Sequence, residues 1–414
     1  MMSYQETLLS PIKIGTRECK NRFFIQAMEC CDADAQGNPS DLTLERYSNL
    51  FRGGAGVVTL EAISITRESR SRDDQLMILP ENAEALKKFI RTLKEINPDT
   101  LIVFQLTHSG ELSNPEFSRR VTVNPLYGYG GDLLTEEEVD KIMDDYVLAA
   151  QIAHEAGADG VDMKLCHGYL GSQIIRPYNS RDWKYGGSWE NRSRFAFDLY
   201  ERISRAVNDK NFLIGSKISM WEGFPGGFGT DRKDSALIDL TEPISLLKGL
   251  EERGAQYFVE TLGSPSITVS LVQAERHHPY IAYLHQSFQK AMKDAVKPET
   301  VIIGSNYSVY GKGNKGLQAC DPEENTLLKV GARNIERGIT DMIALGRQSF
   351  ADPLLPAKLA AGKESDIHYC TICDNCLELL IRQKPIGCCT FNKRYTDILV
   401  QTRKEMGKLN RNHT

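Results

Sequence analysis

Short runs of aliphatic and β-branched residues punctuate the chain at intervals of a few tens of residues. They are residues 23–28 (FFIQAM), 56–62 (GVVTLEA), 101–108 (LIVFQLTH), 160–168 (GVDMKLCHG), 213–219 (LIGSKIS), 256–263 (QYFVETLG), 300–306 (TVIIGSN) and 341–347 (DMIALGR). They are close to continuous rather than alternating, and several border on glycine, as strands covered on both faces do. The intervening segments have helical spacing. ENAEALKKFIRTLKEI carries apolar residues three and four apart, and TEEEVDKIMDDYVLAAQIAHEAGAD opens with Thr135 followed three residues later by Glu138, a capping-box pattern. PISLLKGLEERGA and NTLLKVGARNIERG close on basic residues and glycine, which suits helix C-termini. Eight strands alternating with helices predict a (β/α)8 TIM barrel over an open doubly wound sheet.

A barrel of this kind carries its chemistry at the C-terminal ends of the strands. Met28, Ala62, Gln105, His108, Lys164, His167, Lys217, Gly304, Ser305, Gly346 and Arg347 fall there. Any one of them alone reads equally well as a strand end meeting solvent; together they mark a site. The longer connections at 109–134, 171–190, 219–237 and 263–285 lie at the same rim and predict lids. A GxGxxG string at 311–316 (GKGNKG) follows the seventh strand with no ribose-binding acid in the right unit, and reads as a glycine-rich loop.

Composition narrows the class further. The 414 residues carry a net charge of −5 with both signs interspersed, which argues against nucleic acid or a membrane surface as a partner. The N-terminus lacks a signal-peptide core and no long apolar run occurs, so the expected location is cytoplasmic. Homo-oligomerisation is left open. Of the 10 cysteines, half fall in CTICDNCLELLIRQKPIGCC, residues 370–389. Thiols stay reduced in the cytoplasm, so such a cluster points to metal rather than disulfides. Cys370, Cys373 and Cys376 form C-x2-C-x2-C, with Cys388 or Cys389 as a fourth ligand. Structural zinc sites usually present separated pairs of ligands. Three close cysteines and a remote one is the arrangement of an iron–sulfur cluster.

The stretch 159–195, DGVDMKLCHGYLGSQIIRPYNSRDWKYGGSWENRSRF, resembles the Old Yellow Enzyme family of flavin-dependent reductases. The family pattern is H-x-x-H-G-Y followed by Y-G-G-S-x-E-N-R; His167, Gly168 and Tyr169 match, as does the run 185–192. SPIKIG, KNR, GGAGVVTLEA, QLTHSG and MIALGRQSFADP stand in the family's order, so the resemblance covers residues 8–358. It implies an FMN-binding (β/α)8 barrel. Met28, Ala62 and Gln105 would lie against the isoalloxazine, Lys217 near its N1 edge, and Gly304, Ser305, Gly346 and Arg347 at the phosphate. The implied reaction reduces the C=C bond of an α,β-unsaturated carbonyl compound of steroid-, bile-acid-, bilin- or enoate-like type. Hydride passes from FMN N5 to the β-carbon, Tyr169 gives a proton to the α-carbon, and Lys164 with His167 binds the carbonyl oxygen.

Several positions depart from the family. Lys164 stands where histidine is usual, and is also open to a substrate carboxylate or to pairing with Asp162. The first-strand A-P-M reads Gln26-Ala27-Met28, and Glu111 replaces a common arginine. Glu29, Cys30 and Cys31 put an acid and two thiols near the expected flavin edge, and His277 and His278 are further candidates to face substrate.

Larger relatives, the dienoyl-CoA reductases and trimethylamine dehydrogenase, carry a 4Fe–4S cluster just beyond the barrel, with the fourth cysteine in C-x-x-N. Cys389-Thr390-Phe391-Asn392 matches that ending and Cys388 does not. The resemblance therefore implies a barrel over 1–360 and a cluster-binding extension over 361–414, with Cys370, Cys373, Cys376 and Cys389 as ligands. The remaining tail is too short for those relatives' second, nucleotide-binding half. Electrons are then expected from a separate donor: a ferredoxin, a flavoprotein reductase, or NAD(P)H. The competing readings are an oxidative flavin dehydrogenase, a non-catalytic electron-transfer subunit, and a zinc-stapled barrel.

Overall fold

The computed structural model describes residues 2–274, 279–313 and 323–412. His277, His278 and the second half of the glycine string at 311–316 lie outside the described residues. Eight parallel strands close into a barrel in sequential order. They are β1 (Phe23–Ile25), β2 (Val57–Ser64), β3 (Leu101–Thr107), β4 (Gly160–Leu165), β5 (Leu213–Ser219), β6 (Tyr257–Thr261), β7 (Val301–Gly304) and β8 (Met342–Leu345). Ile343, Ala344 and Leu345 of β8 pair with Phe23, Phe24 and Ile25 of β1, which completes the closure.

Each predicted strand is present, most of them shorter than the apolar run that announced it. β1 ends at Ile25 because its partner β8 ends at Leu345; Gln26 N–H still reaches Leu345 O, and beyond it the chain leaves the ladder. β2 is longer than predicted, running to Ser64 past a register shift against β3 between Leu60 and Ile63.

The outer layer is α1 (Asp41–Gly53), α2 (Ala83–Ile96), α3 (Glu136–Ala156), α4 (Trp189–Val207), α5 (Thr241–Glu252), α6 (Ile281–Ala295), α7 (Leu327–Glu336) and α8 (Leu355–Ala360). Thr135 and Glu138 form the anticipated capping box at the start of α3, with reciprocal bonds of 3.2 and 2.9 Å. Among the described residues no helix is long and apolar enough to cross a membrane.

Strand side chains alternate between the barrel interior and the helix layer. The interior layer is apolar and includes Phe24, Val103, Val259, Ile303 and Ala344. Two residues further along those strands stand Gln26, Gln105, Thr261, Ser305 and Gly346, so the same parity that fills the core turns polar groups into the barrel mouth. After β8 the chain continues through α9 (Asn375–Ile381) and α10 (Lys393–Asn412), and Cys376, Leu377, Leu380 and Ile386 reach that mouth. Leu379, Ile386, Cys389, Tyr395 and Leu399 pack there with Cys30 from the β1 loop in a separate small core.

Replacing Thr135 by Ala removes the cap acceptor and should cost about 1 kcal/mol. The expected result is a lower urea midpoint with an unchanged slope and an unchanged flavin spectrum.

Candidate active site at the barrel mouth

A cavity of about 570 Å³ opens at the C-terminal ends of the strands. Met28, Ala62, Gln105, Lys164, His167, Tyr169, Lys217, Ser305, Gly346 and Arg347 all line it. Gly304 sits behind the wall, where a Cβ would come within 2.4 Å of Gln289 Oε1. His108 is buried; its Nδ1 accepts from Gly110 N–H, and burial pushes its imidazole down to about 3.

The floor is a buried polar network. Gln105 Nε2 donates to Asp162 Oδ1 at 2.9 Å, and Lys217 Nζ donates to Gln26 Oε1 at 2.6 Å. Burial pushes the Lys217 ammonium down and the Asp162 carboxyl up to about 7. Asp162 Oδ2 is buried with no hydrogen-bond partner.

One wall comes from the loop after β4. His167 has φ 61° and Gly168 φ 79°, a tight left-handed pair that throws Tyr169 back over the mouth. Only glycine fits at 168, because a Cβ there would lie 2.0 Å from Tyr127 Oη. His167 Nε2 lies 3.0 Å from Thr261 Oγ1, and burial together with Lys217 and Lys164 keeps the ring neutral. Lys164 does not pair with Asp162. Its Nζ donates to Glu29 Oε1 at 2.8 Å, the same oxygen that accepts the Tyr169 hydroxyl at 2.6 Å. Arg72, from the loop after β2, faces Glu29 Oε2 at 3.3 Å.

At the opposite side, Gly346 leaves an open cradle where a Cβ would meet only Met28 Sδ, at 3.5 Å. Arg347 binds Asp374 Oδ1 at 2.6 Å and Ala274 O at 2.9 Å, which still leaves guanidinium donors free for an anion. Ser305 donates its N–H and its hydroxyl to Glu260 Oε2, at 3.3 and 2.9 Å. The amide and ammonium of the polar floor at one edge and the cradle with its arginine at the other fit a flavin mononucleotide.

The tail forms part of the same site. Cys376, Leu377, Leu380 and Ile386 line the cavity. Gln348 holds the tail by accepting Cys370 N–H and donating to His368 O, both at 2.9 Å, and Ile386 N–H bonds Cys30 O at 3.0 Å. Cys370 and Cys376 are half-buried, Cys373 is exposed, and Cys389 is buried with its Sγ 3.5 Å from Tyr395 O. Among the described residues no three Cys, His, Asp or Glu side chains converge on a single-ion site.

Residue patterning left Glu29 without a role and did not single out Arg72. Glu29 had a visible signal, an acid directly after Met28. Arg72 sits in the polar loop SRSRDD, where nothing local separates it from its neighbours. Glu111, in place of a common arginine, is buried and accepts the N–H groups of Leu126 and Tyr127 at 3.2 and 3.1 Å, a loop-holding role.

A closed parallel barrel with its polar and charged groups gathered around one cavity defines a (β/α)8 barrel with a candidate active site at its mouth. The chain belongs to the NADH:flavin oxidoreductase / NADH oxidase family, whose pattern matches residues 7–238. It is 27% identical over 391 residues to an NADH oxidase of Thermoanaerobacter brockii, covering 90% of this chain and 54% of that protein. It is 28% identical over 414 residues to a cinnamate reductase of Clostridium sporogenes, covering 94% of this chain and 58% of that one. The fold superposes on a 2-naphthoyl-CoA reductase with a TM-score of 0.77 at 22% identity, over 95% of this chain and 58% of that structure. The chain thus spans little more than half the length of these relatives.

Asp162 yields a pH test. Its folded-state carboxyl is raised, so its contribution to stability is full below the ordinary aspartate value of about 4 and is lost as pH rises through about 7. Asp162→Asn, permanently neutral, should raise the thermal midpoint of the flavin-free protein more at pH 8 than at pH 5. An equal change at both would show that Asp162 does not titrate there.

Proposed function

We propose that the chain reduces the C=C bond of an α,β-unsaturated carbonyl compound, using FMN. The observation that carries this reading is the pairing, in one cavity, of a buried phenol with a neutral imidazole above a flavin-sized floor. The chemistry FMN supplies when bound and reduced is hydride donation to the electron-poor β-carbon. Met28, Ala62 and Gln105 would hold the ring and Lys217 its N1 edge. The phosphate would fall to Gly346 and Arg347, with Ser305 lining the same cavity and Gly304 behind its wall.

The protein's own groups handle the charge that follows. Negative charge develops on the carbonyl oxygen, and His167 would donate to it, with the Lys164 ammonium adding a positive field. A preorganised donor of this kind is commonly worth ~10²–10³ in rate. Tyr169 keeps its proton at rest, because burial and the Glu29 charge hold its phenol above the ordinary value. It then releases the proton to the α-carbon. The cinnamate reductase relative supports an enoate-like substrate.

Cys370, Cys373, Cys376 and Cys389 would hold a 4Fe–4S cluster, which supplies one-electron transfer next to the cavity that Cys376 lines. Structural zinc sites usually present separated pairs of ligands, so the C-x2-C-x2-C spacing with one remote cysteine favours the cluster. Its electrons would come from a ferredoxin, a flavoprotein reductase or NAD(P)H.

Tyr169→Phe should retain the flavin spectrum and slow alkene-dependent reoxidation of the reduced protein by ~10²–10⁴; an unchanged rate removes Tyr169 as the acid. Protein purified without oxygen should contain iron and labile sulfide in equal amounts, and zinc without sulfide would end the cluster proposal.

A further inference from the structure

Glu29 takes three donors from three parts of the rim. The Tyr169 hydroxyl and the Lys164 ammonium both bond Oε1, at 2.6 and 2.8 Å, and Arg72 Nε faces Oε2 at 3.3 Å. Lys164 Nζ also lies 3.2 Å from the centre of the Tyr169 ring, and the Ser71 hydroxyl is 3.5 Å from Tyr169 Oη. The Glu29 and Lys164 side chains are only 10% and 6% exposed. At these separations and this burial, charges act on one another far more strongly than in water.

The formal charges explain the design. With Tyr169 protonated, the group holds two cations and one carboxylate. With Tyr169 ionised, two cations meet two anions, and the group is balanced. Lys164 and Arg72 thus favour the phenolate that proton donation leaves behind, and Glu29 opposes it until then. The other titratable groups around this set are the Cys31 thiol beside Arg72, and the Cys166 thiol, Asp162 carboxyl, Lys217 ammonium and neutral His167 imidazole beside Lys164. Burial pushes both thiols up, so they stay neutral.

We propose that Glu29 is the positioning residue of the proton-transfer step: by accepting the Tyr169 hydroxyl it anchors the phenol in the cavity and restrains its ionisation, while holding Lys164 and Arg72 as countercharges for the phenolate. This rests on the reading of Tyr169 as the acid. In the step itself the Tyr169 hydroxyl turns from Glu29 Oε1 to the substrate, its O–H bond breaks and a C–H bond forms at the electron-rich α-carbon. The electron pair of the O–H bond stays on the phenolate oxygen, and water entering through the cavity mouth returns the proton. Glu29 is not the proton source. Burial alone would raise its carboxyl, but Lys164 and Arg72 overcome that and hold it at about 2. The same carboxylate engages Lys164, which leaves the substrate carbonyl oxygen to His167.

The test uses FMN-loaded protein labelled with [13Cζ]-tyrosine, with the Tyr169 resonance identified by its loss in Tyr169→Phe. Removing an anion this close should move a neighbouring pKa by ~1–3 units. Glu29→Gln should therefore lower the pH at which Tyr169 ionises by at least about one unit. Glu29→Asp should keep most of the wild-type value, and Glu29→Gln/Arg72→Gln should bring it back upward. The alkaline limb of the kcat profile should follow the same order, with KM changing less than kcat. A packing role predicts instead that the double variant is worse than the single one and that neither moves the ionisation. Tyr169 ionisation unmoved by Glu29→Gln overturns the proposal. A shift accompanied by undiminished alkene reduction in Tyr169→Phe also overturns it, because Glu29 would then tune a tyrosine that is not the acid.

Discussion

Closure of the barrel between β8 and β1 is the constraint on which the rest of the molecule depends. It joins the start of the fold to its end, so that Met28 and Gly346 become neighbours across the cavity. Closure also removes every free edge, and each barrel strand then has an inner and an outer face along its whole length. The inner face is apolar until the rim, where the next inward positions are Gln26, Gln105, Lys164, Lys217 and Gly346. The ring of functional groups is thus the last layer of the core pattern.

The cysteine-rich tail is built into that rim. Arg347 reaches from the end of β8 to Asp374, inside the cysteine motif, and Gln348 binds the backbone of His368 and Cys370. Cys30 contributes both a carbonyl and a side chain to the tail's small core. These contacts place the expected phosphate arginine and the cysteine loop in one connected unit. A redox centre in the tail and a flavin in the barrel would share a wall, which shortens any path between them.

Charge at the mouth is arranged with similar economy. Lys217 sits over neutral amides and a carboxyl that burial keeps near neutrality, whereas Lys164 is held by an ionised Glu29. Two lysines on adjacent strands, Lys164 and Lys217, are register partners in the ladder. Their partners alone separate their behaviour: burial pushes Lys217 down, while Glu29 overcomes burial at Lys164 and raises it.

Strand count, strand identity and the helix caps were legible along the chain, because apolar runs, capping residues and terminal glycines act over a few residues. Strand ends were less legible: residues 23–28 read as one strand, yet only Phe23–Ile25 has a partner to pair with. His167, Gly168 and Tyr169 could be named from a contiguous motif. Glu29 and Arg72 could not be given roles that way, since their meaning lies in contacts 135 to 140 residues away, and 43 residues apart. The sequence by itself determined a (β/α)8 barrel with its polar groups at one rim and its thiols in one tail. Only the tertiary structure decided that Lys164 belongs to Glu29 rather than Asp162, and that the tail walls the cavity. Pairings of that kind depend on which loops closure brings face to face, and no local spacing records them.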